Sequence, residues 1–224
     1  ILEKNHQKLK KMQKTDDDKK KVSIIEKAIQ LISDEKKILG NLDKEEINYL
    51  NTYQLISTKP VVYICNVDEN SALSGNEFTK KIDTYAKENN SEVLLISAKI
   101  ESEISQITDF KDKQDFLESM GLKETGLKRV IKKGYEILNY INYFTAGEKE
   151  LRAWTITKGT LAPSAAGTIH SDMEKGFIRA ETISFNDYLS HKGEAGAKEK
   201  GKLRLEGKEY EVKDGDIMHF LFNV

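Results

Sequence analysis

Two short apolar runs in this sequence end in side chains that make hydrogen bonds. Pro60-Val61-Val62-Tyr63-Ile64-Cys65 runs into Asn66-Val67-Asp68-Glu69. Glu92-Val93-Leu94-Leu95-Ile96 runs into Ser97-Ala98-Lys99. Both runs are rich in apolar and β-branched residues on both faces, the pattern of buried parallel strands. In open α/β sheets a ligand sits outside the carboxyl ends of the strands, so both groups stand where a ligand would be. The chemistry they offer is recognition: a carboxamide, a carboxylate, a hydroxyl and an ammonium along one edge. A plainer reading stays open beside it. Asn66 forms a turn after a strand, and Ser97 caps the next helix.

The physical parallel is the base pocket of P-loop GTPases. There an Asn-Lys-x-Asp motif reads guanine, and a Ser-Ala-Lys loop closes on the base from the next strand. The aspartate accepts hydrogen bonds from N1 and N2 of guanine. Adenine carries an acceptor at N1 and leaves that carboxylate mismatched. This sequence departs from the pattern twice, with Val67 in place of Lys and Glu69 in place of Asp. Glutamate is one methylene longer, so guanine selection weakens. Asp68 is an acid one position early, and its side chain would turn off the strand end.

Other reactive residues carry less. His6, His170, His191 and His219 lie far apart and have no cysteine near them, so no metal site is read from them. His170 satisfies a helix end, and His219 points outward from the last strand. Cys65, the one cysteine, rules out an internal disulfide framework and reads as a small buried hydrophobe. Trp154 reads as core. Gly193–Gly201 carries Glu194, Lys198, Glu199 and Lys200, which suits a solvated helix or loop rather than a phosphate cradle.

The elements that position these groups follow from pattern. The chain has 224 residues, 38% hydrophobic and 33% charged, with a net charge of -1. A globally basic nucleic-acid binder is thereby excluded, though local patches are not. Residues 1–40 carry 11 lysines against 7 acids. Leu2, Leu9 and Met12, then Val22, Ile25, Ile29 and Ile32, form narrow stripes on two helices broken at Thr15-Asp16-Asp17-Asp18. That is an antiparallel hairpin, with Lys10, Lys11, Lys19, Lys20 and Lys21 on its basic face. Asp43 caps a short helix to Tyr53. A helix from Asn76 to Asn89, with Phe78, Ile82 and Tyr85 or Ala86 on one face, joins the two strands into a βαβ unit. Thr125 caps a helix through Tyr140, with Leu127, Val130, Ile131 and Leu138 facing inward. Beyond 141 the periodicity turns to strands: Leu151–Ile156, Phe177–Ile183, Lys202–Leu205, Glu209–Val212 and Ile217–Phe222, with one helix packed on the sheet.

Three longer segments carry a family resemblance. They are Tyr143-Phe144-Thr145-Ala146-Gly147-Glu148-Lys149-Glu150-Leu151-Arg152-Ala153-Trp154-Thr155-Ile156, Gly176-Phe177-Ile178-Arg179-Ala180-Glu181, and Asp214-Gly215-Asp216-Ile217-Met218-His219-Phe220-Leu221-Phe222-Asn223-Val224. With Asn66-Val67-Asp68-Glu69 and Ser97-Ala98-Lys99, they make the chain resemble the C-terminal portion of the YchF / Obg-like ATPase family over nearly its whole length. The resemblance implies an α/β fold: the C-terminal part of a P-loop NTPase domain at 41–140, an inserted antiparallel helical hairpin at 1–40, and a β-grasp (TGS) domain at 141–224.

It also implies an ATPase that prefers ATP to GTP, works with Mg2+, associates with ribosomes (rRNA or ribosomal protein) in the cytoplasm, and has no membrane partner. The ATP-binding residues it implies are Asn66, Val67, Glu69, Ser97, Ala98 and Lys99. The sequence contains no G-x-x-x-x-G-K-[ST] or D-x-x-G motif. The chain opens on Ile1 without a charged and then apolar leader. The expectation is therefore that the phosphate cradle and the magnesium ligand precede residue 1, and that this chain does not hydrolyse nucleotide alone. The alternative is a non-catalytic module that docks on RNA or the ribosome with a vestigial pocket.

Overall fold

The computed structural model describes every residue except Gln13, Glu148, Lys149 and Val224. Parts of two family-like segments, at Glu148, Lys149 and Val224, thus lie outside the described residues. The chain forms two compact units, Ile1–Val130 and Ile131–Val224.

The first unit opens with α1 (Leu2–Met12) and α2 (Asp16–Ser33). The turn between them is fixed by a capping box. The Thr15 hydroxyl accepts from the Asp18 N–H, and the Asp18 carboxylate accepts from the Thr15 N–H. Ile24, Ile25 and Ala28 of α2 pack with Leu2, Ile38 and Leu50, and α3 (Lys44–Asn51) supplies the last of these. His6 meets Glu26 across the pair at 2.8 Å.

β1 (Val62–Asn66) leads through α4 (Glu77–Glu88) to β2 (Glu92–Ile96), and the strands pair in parallel from Val62↔Glu92 to Asn66↔Ile96. α5 (Ala98–Gln106), α6 (Phe110–Ser119) and α7 (Gly126–Ile137) follow. Ala72, Ile100, Ile104, Leu117 and Leu122 form a core to which α5 and α6 contribute.

Two expectations fail here for one reason. β1 is not buried on both faces, since Ile64 is 54% exposed. On α4 the inward residues are Thr79 and Ala86, while Phe78, Ile82 and Tyr85 are exposed. The sheet has only two strands, so much of the apolar surface that a wider parallel sheet would cover stays open. Leu127, Ile131 and Leu138 are also exposed rather than inward.

The second unit holds a five-stranded sheet built from β3 (Tyr140–Ala146), β4 (Leu151–Thr157), β5 (Phe177–Ser184), β6 (Arg204–Glu206) and β7 (Asp216–Phe222). Its order is β4-β3-β7-β5-β6, with the first and last strands parallel at the centre and the other pairs antiparallel. That is the β-grasp order. α8 (Ala162–Ile169) lays Ala162, Ala165 and Ala166 against Tyr143, Phe177, Ala180, Met218 and Phe220. Small helix residues let the sheet aromatics approach, and the buried Tyr143 hydroxyl donates to the Ala165 carbonyl at 2.9 Å.

Besides α8, the described residues of this unit hold three short helices where the pattern predicts one helix in all: α9 (Ser171–Lys175), α10 (Phe185–Ser190) and α11 (Glu194–Glu199). The helix expected to run through Tyr140 stops at Ile137, and β3 begins at Tyr140. Glu209–Val212 is not a strand: Glu211 makes an isolated bridge to Leu161, and Val212 fills the core. His170 Nδ1 accepts from the Asp172 N–H at the start of α9, and His219 is exposed on β7, both as read from sequence.

Candidate functional site

Parallel pairing in register brings the ends of β1 and β2 side by side. The Val67 N–H donates to the Ile96 carbonyl at 2.8 Å, extending the ladder one residue past β1. The Asn66 carboxamide Oδ1 then accepts the Ala98 N–H at 3.0 Å. This bond ties the two polar tips together, so Asn66 does more than form a turn. Ser97 is buried and its Oγ lies 3.5 Å from the Ile100 N–H at the start of α5. Its cap is the role the plainer reading gave it.

Past the strand end the chain turns tightly. Asp68 accepts from the Ser71 N–H and hydroxyl, which confines it to the turn. Val67 is buried, so little of it remains to touch a ligand. Glu69 instead meets Lys99, Oε1 to Nζ at 2.7 Å. The hydrogen bond from Lys99 to Glu69, with the carboxylate's charge, holds the Lys99 ammonium above its ordinary pKa. Asn66, Glu69, Ser97, Ala98 and Lys99 therefore stand together at one edge.

Three further residues hold this edge and escape sequence reasoning. The Glu101 carboxylate accepts from the N–H groups of Gly126 (2.6 Å) and Leu127 (3.2 Å), the first turn of α7. A carboxylate there satisfies orphan donors and the helix dipole. Gly126 permits it, because a Cβ would lie 2.9 Å from Glu101 Oε1 and 3.2 Å from Ile96 Cγ2. Arg129 of the same helix donates from Nη2 to the Leu95 carbonyl at 2.8 Å, capping a backbone group of β2. The partners are remote in sequence, so no local signal marks them.

A cavity of about 670 Å³ is lined by Phe110, Leu117, Leu122, Lys113, Lys123 and Lys128 and by none of the strand-end residues. The strand-end site is an open edge. Chemistry rather than volume marks it. No group of three or more His, Cys, Asp or Glu side chains is gathered among the described residues. No described helix is long and apolar enough to cross a membrane.

Known proteins resemble this chain. Residues 140–223 match the YchF-GTPase_C family, described as a protein of unknown function (DUF933). The ribosome-binding ATPase YchF of Haemophilus ducreyi is 46% identical over 221 residues, covering 97% of this chain and 60% of that protein. The structure of the Schizosaccharomyces pombe YchF GTPase is similar at a TM-score of 0.85 and 32% identity, over 98% of this chain and 61% of that one. Residues 140–223 carry the YchF C-terminal domain, and over nearly its whole length the chain is similar to YchF proteins. Another YchF, the ribosome-binding ATPase of Bacillus subtilis, is 51% identical over 183 residues, 81% of this chain and 50% of its own length. A GTP-binding protein of Pyrococcus horikoshii shares the fold alone, at 18% identity and a TM-score of 0.53 over 82% of this chain and 52% of its own. The chain thus spans about 60% of the Haemophilus YchF and half of the Bacillus one.

Proposed function

We propose that this chain is the base-binding part of a cytoplasmic, ribosome-associated ATPase that takes ATP in preference to GTP. The observation that carries the reading is the bond between Asn66 and Ala98, which assembles one recognition edge from two strand ends. In this reading 1–40 is the helical arm, 41–140 the C-terminal part of the nucleotide-binding domain, and 141–224 a TGS domain. Asn66, Glu69, Ser97, Ala98 and Lys99 flank the base, and Val67, being buried, supports the turn between Asn66 and Glu69. Bound ATP with Mg2+ supplies the phosphoryl group and its charge neutralisation, through residues outside this chain. Hydrolysis accordingly needs the phosphate-binding part of the longer protein.

Two features support a missing covering half. A parallel sheet is normally covered on both faces, yet Ile64, Phe78, Ile82 and Tyr85 are exposed. Relatives with the same β1–β2 region are longer than this chain. Adenine preference follows from Glu69. Its carboxylate lies with Lys99, on a side chain one methylene longer than the aspartate that meets guanine's two N–H donors in P-loop GTPases. A mismatch of that kind is worth about 1–3 kcal/mol.

The test is a pair of dissociation constants, for ATP and GTP, on the full-length protein. Wild type should accept ATP at least as well as GTP. Val67→Lys with Glu69→Asp should move the preference toward GTP by about 5- to 150-fold, the factor that 1–3 kcal/mol implies. A wild type that favours GTP tenfold, or a ratio indifferent to the double substitution, would refute the assignment.

A second reading, a non-catalytic RNA or ribosome docking module, draws on α1. Lys4, Lys8 and Lys11 recur four and three apart on one face, all exposed, without an ion pair among the described residues. Such a stripe fits a phosphate backbone. It is compatible with the ATPase reading and gives the arm its partner, rRNA.

A further inference from the structure

The carboxylate at the strand-end site is already engaged. Glu69 lies in the tight turn after β1 and Lys99 in the first turn of α5, and their charged ends meet at 2.7 Å. Glu69 is about one-third exposed and Lys99 about two-thirds, by side-chain surface of 35% and 66%. Glu103, one turn along α5, is the other acid that acts on Lys99. The backbone donor at the same edge, the Ala98 N–H, is held by Asn66. The edge therefore satisfies itself, with its acceptor and its donor each paired inside the chain.

We infer that Lys99 is a specificity-determining residue of this site and acts through Glu69. The ion pair withdraws a carboxylate able to accept two adjacent N–H donors. Guanine presents such a pair at N1 and N2, and it must break the Glu69–Lys99 contact to reach the carboxylate. Adenine has an acceptor at N1 and no use for the carboxylate, so it meets no such competition. Lengthening Asp to Glu is then only half of the device. The longer arm also reaches a cation that keeps it. This inference rests on the base-binding reading of the site.

Exposed ion pairs contribute little, and the bias expected from one is about two- to fivefold. It is also screened by salt. Both properties make the idea testable. ATP and GTP dissociation constants are measured on the full-length protein for wild type, Lys99→Met, Lys99→Arg, Glu69→Gln and the Glu69→Gln/Lys99→Met pair.

Lys99→Met should shift the ratio toward GTP by about two- to fivefold, and Lys99→Arg should leave it at the wild-type value. On the Glu69→Gln background Lys99→Met should have no effect on the ratio, since the two residues act as one unit. Raising salt should move wild type toward GTP and leave Lys99→Met where it is. A ratio unmoved by Lys99→Met, or moved equally on the Glu69→Gln background, overturns the inference while the base-binding reading stands. A wild type that binds neither nucleotide overturns both. The salt series on wild type needs no variant and decides the matter even where a substitution impairs folding.

Discussion

The Ala98 N–H donates to Asn66 Oδ1 across 3.0 Å, although the two residues are 32 apart in the chain. This bond ties together the tips of two strand ends that parallel pairing already sets side by side. It gives Asn66 a structural role beside the recognition role proposed for it, which separates the consequences of its substitutions.

Asn66→Ala removes the acceptor and frees the Ala98 N–H to water. Because both groups are exposed, stability should fall by only about 0.5–1 kcal/mol. Nucleotide binding by the full-length protein should fall further, by about tenfold, because the loop at 97–99 loses its tether. Asn66→Asp keeps the acceptor and should retain the stability. Denaturant midpoints and ATP titrations of both variants check this, and equal stability losses would detach the bond from the edge.

The contact between Glu101 and the first turn of α7 should be sensitive to one methyl group. Gly126→Ala places a Cβ 2.9 Å from Glu101 Oε1, and it should destabilise the chain by about 1–2 kcal/mol. Glu101→Gln keeps a hydrogen-bond acceptor and loses the charge at the helix start, with a smaller loss of about 0.5–1 kcal/mol. Urea unfolding of the two variants gives the order.

Much of this edge is legible in sequence because its signals are local. An apolar β-branched run followed by Asn-x-x-Glu, and another followed by Ser-Ala-Lys, mark strand ends and a helix cap within a few residues. The hairpin turn at Thr15–Asp18 is legible for the same reason. The rest depends on partners far along the chain. Glu101 finds Gly126, and Glu69 finds Lys99, only after folding. The spacing of Phe78, Ile82 and Tyr85 points to an inward face, but a stripe says which residues share a face, not whether anything covers it. β3 is hidden in the sequence because Asn142 and Thr145 interrupt its apolar pattern and a helical stripe runs up to it.

The basic face of the arm also needs revision from the structure. Lys19 pairs with Asp16, Lys20 with Glu45, Lys21 with Asp17 and Lys27 with Glu46, so α2 is neutralised by its own acids and those of α3. Lys10 lies 3.7 Å from Glu26. Charge reversal at Lys4, Lys8 and Lys11 should therefore weaken ribosome co-sedimentation of the full-length protein, most clearly at low salt. Reversal at Lys19, Lys20 and Lys21 should do less. The opposite order would place the contact on α2.

The capping box at the arm's turn predicts a response to acid. Backbone N–H groups of Lys14 and Thr15 hold the Asp18 carboxyl below its ordinary pKa. A depressed folded value means the stabilisation is present above the ordinary carboxylate pKa and is lost as pH falls through the folded one. Amide exchange in the first turn of α2 should accelerate, relative to a reference peptide, as pH drops below about 4. Thr15→Ala should cost about 1 kcal/mol at neutral pH, and in it the acid response should be smaller.

The central claim is that the ends of β1 and β2 form the adenine site, and photolabelling tests it most directly. The full-length protein is irradiated with 8-azido-ATP, with and without excess ATP, and the labelled peptides are mapped. The account predicts label on peptides containing Asn66–Glu69 or Ser97–Lys99, suppressed by ATP. Label confined to other segments, or label at these that ATP does not suppress, would contradict it.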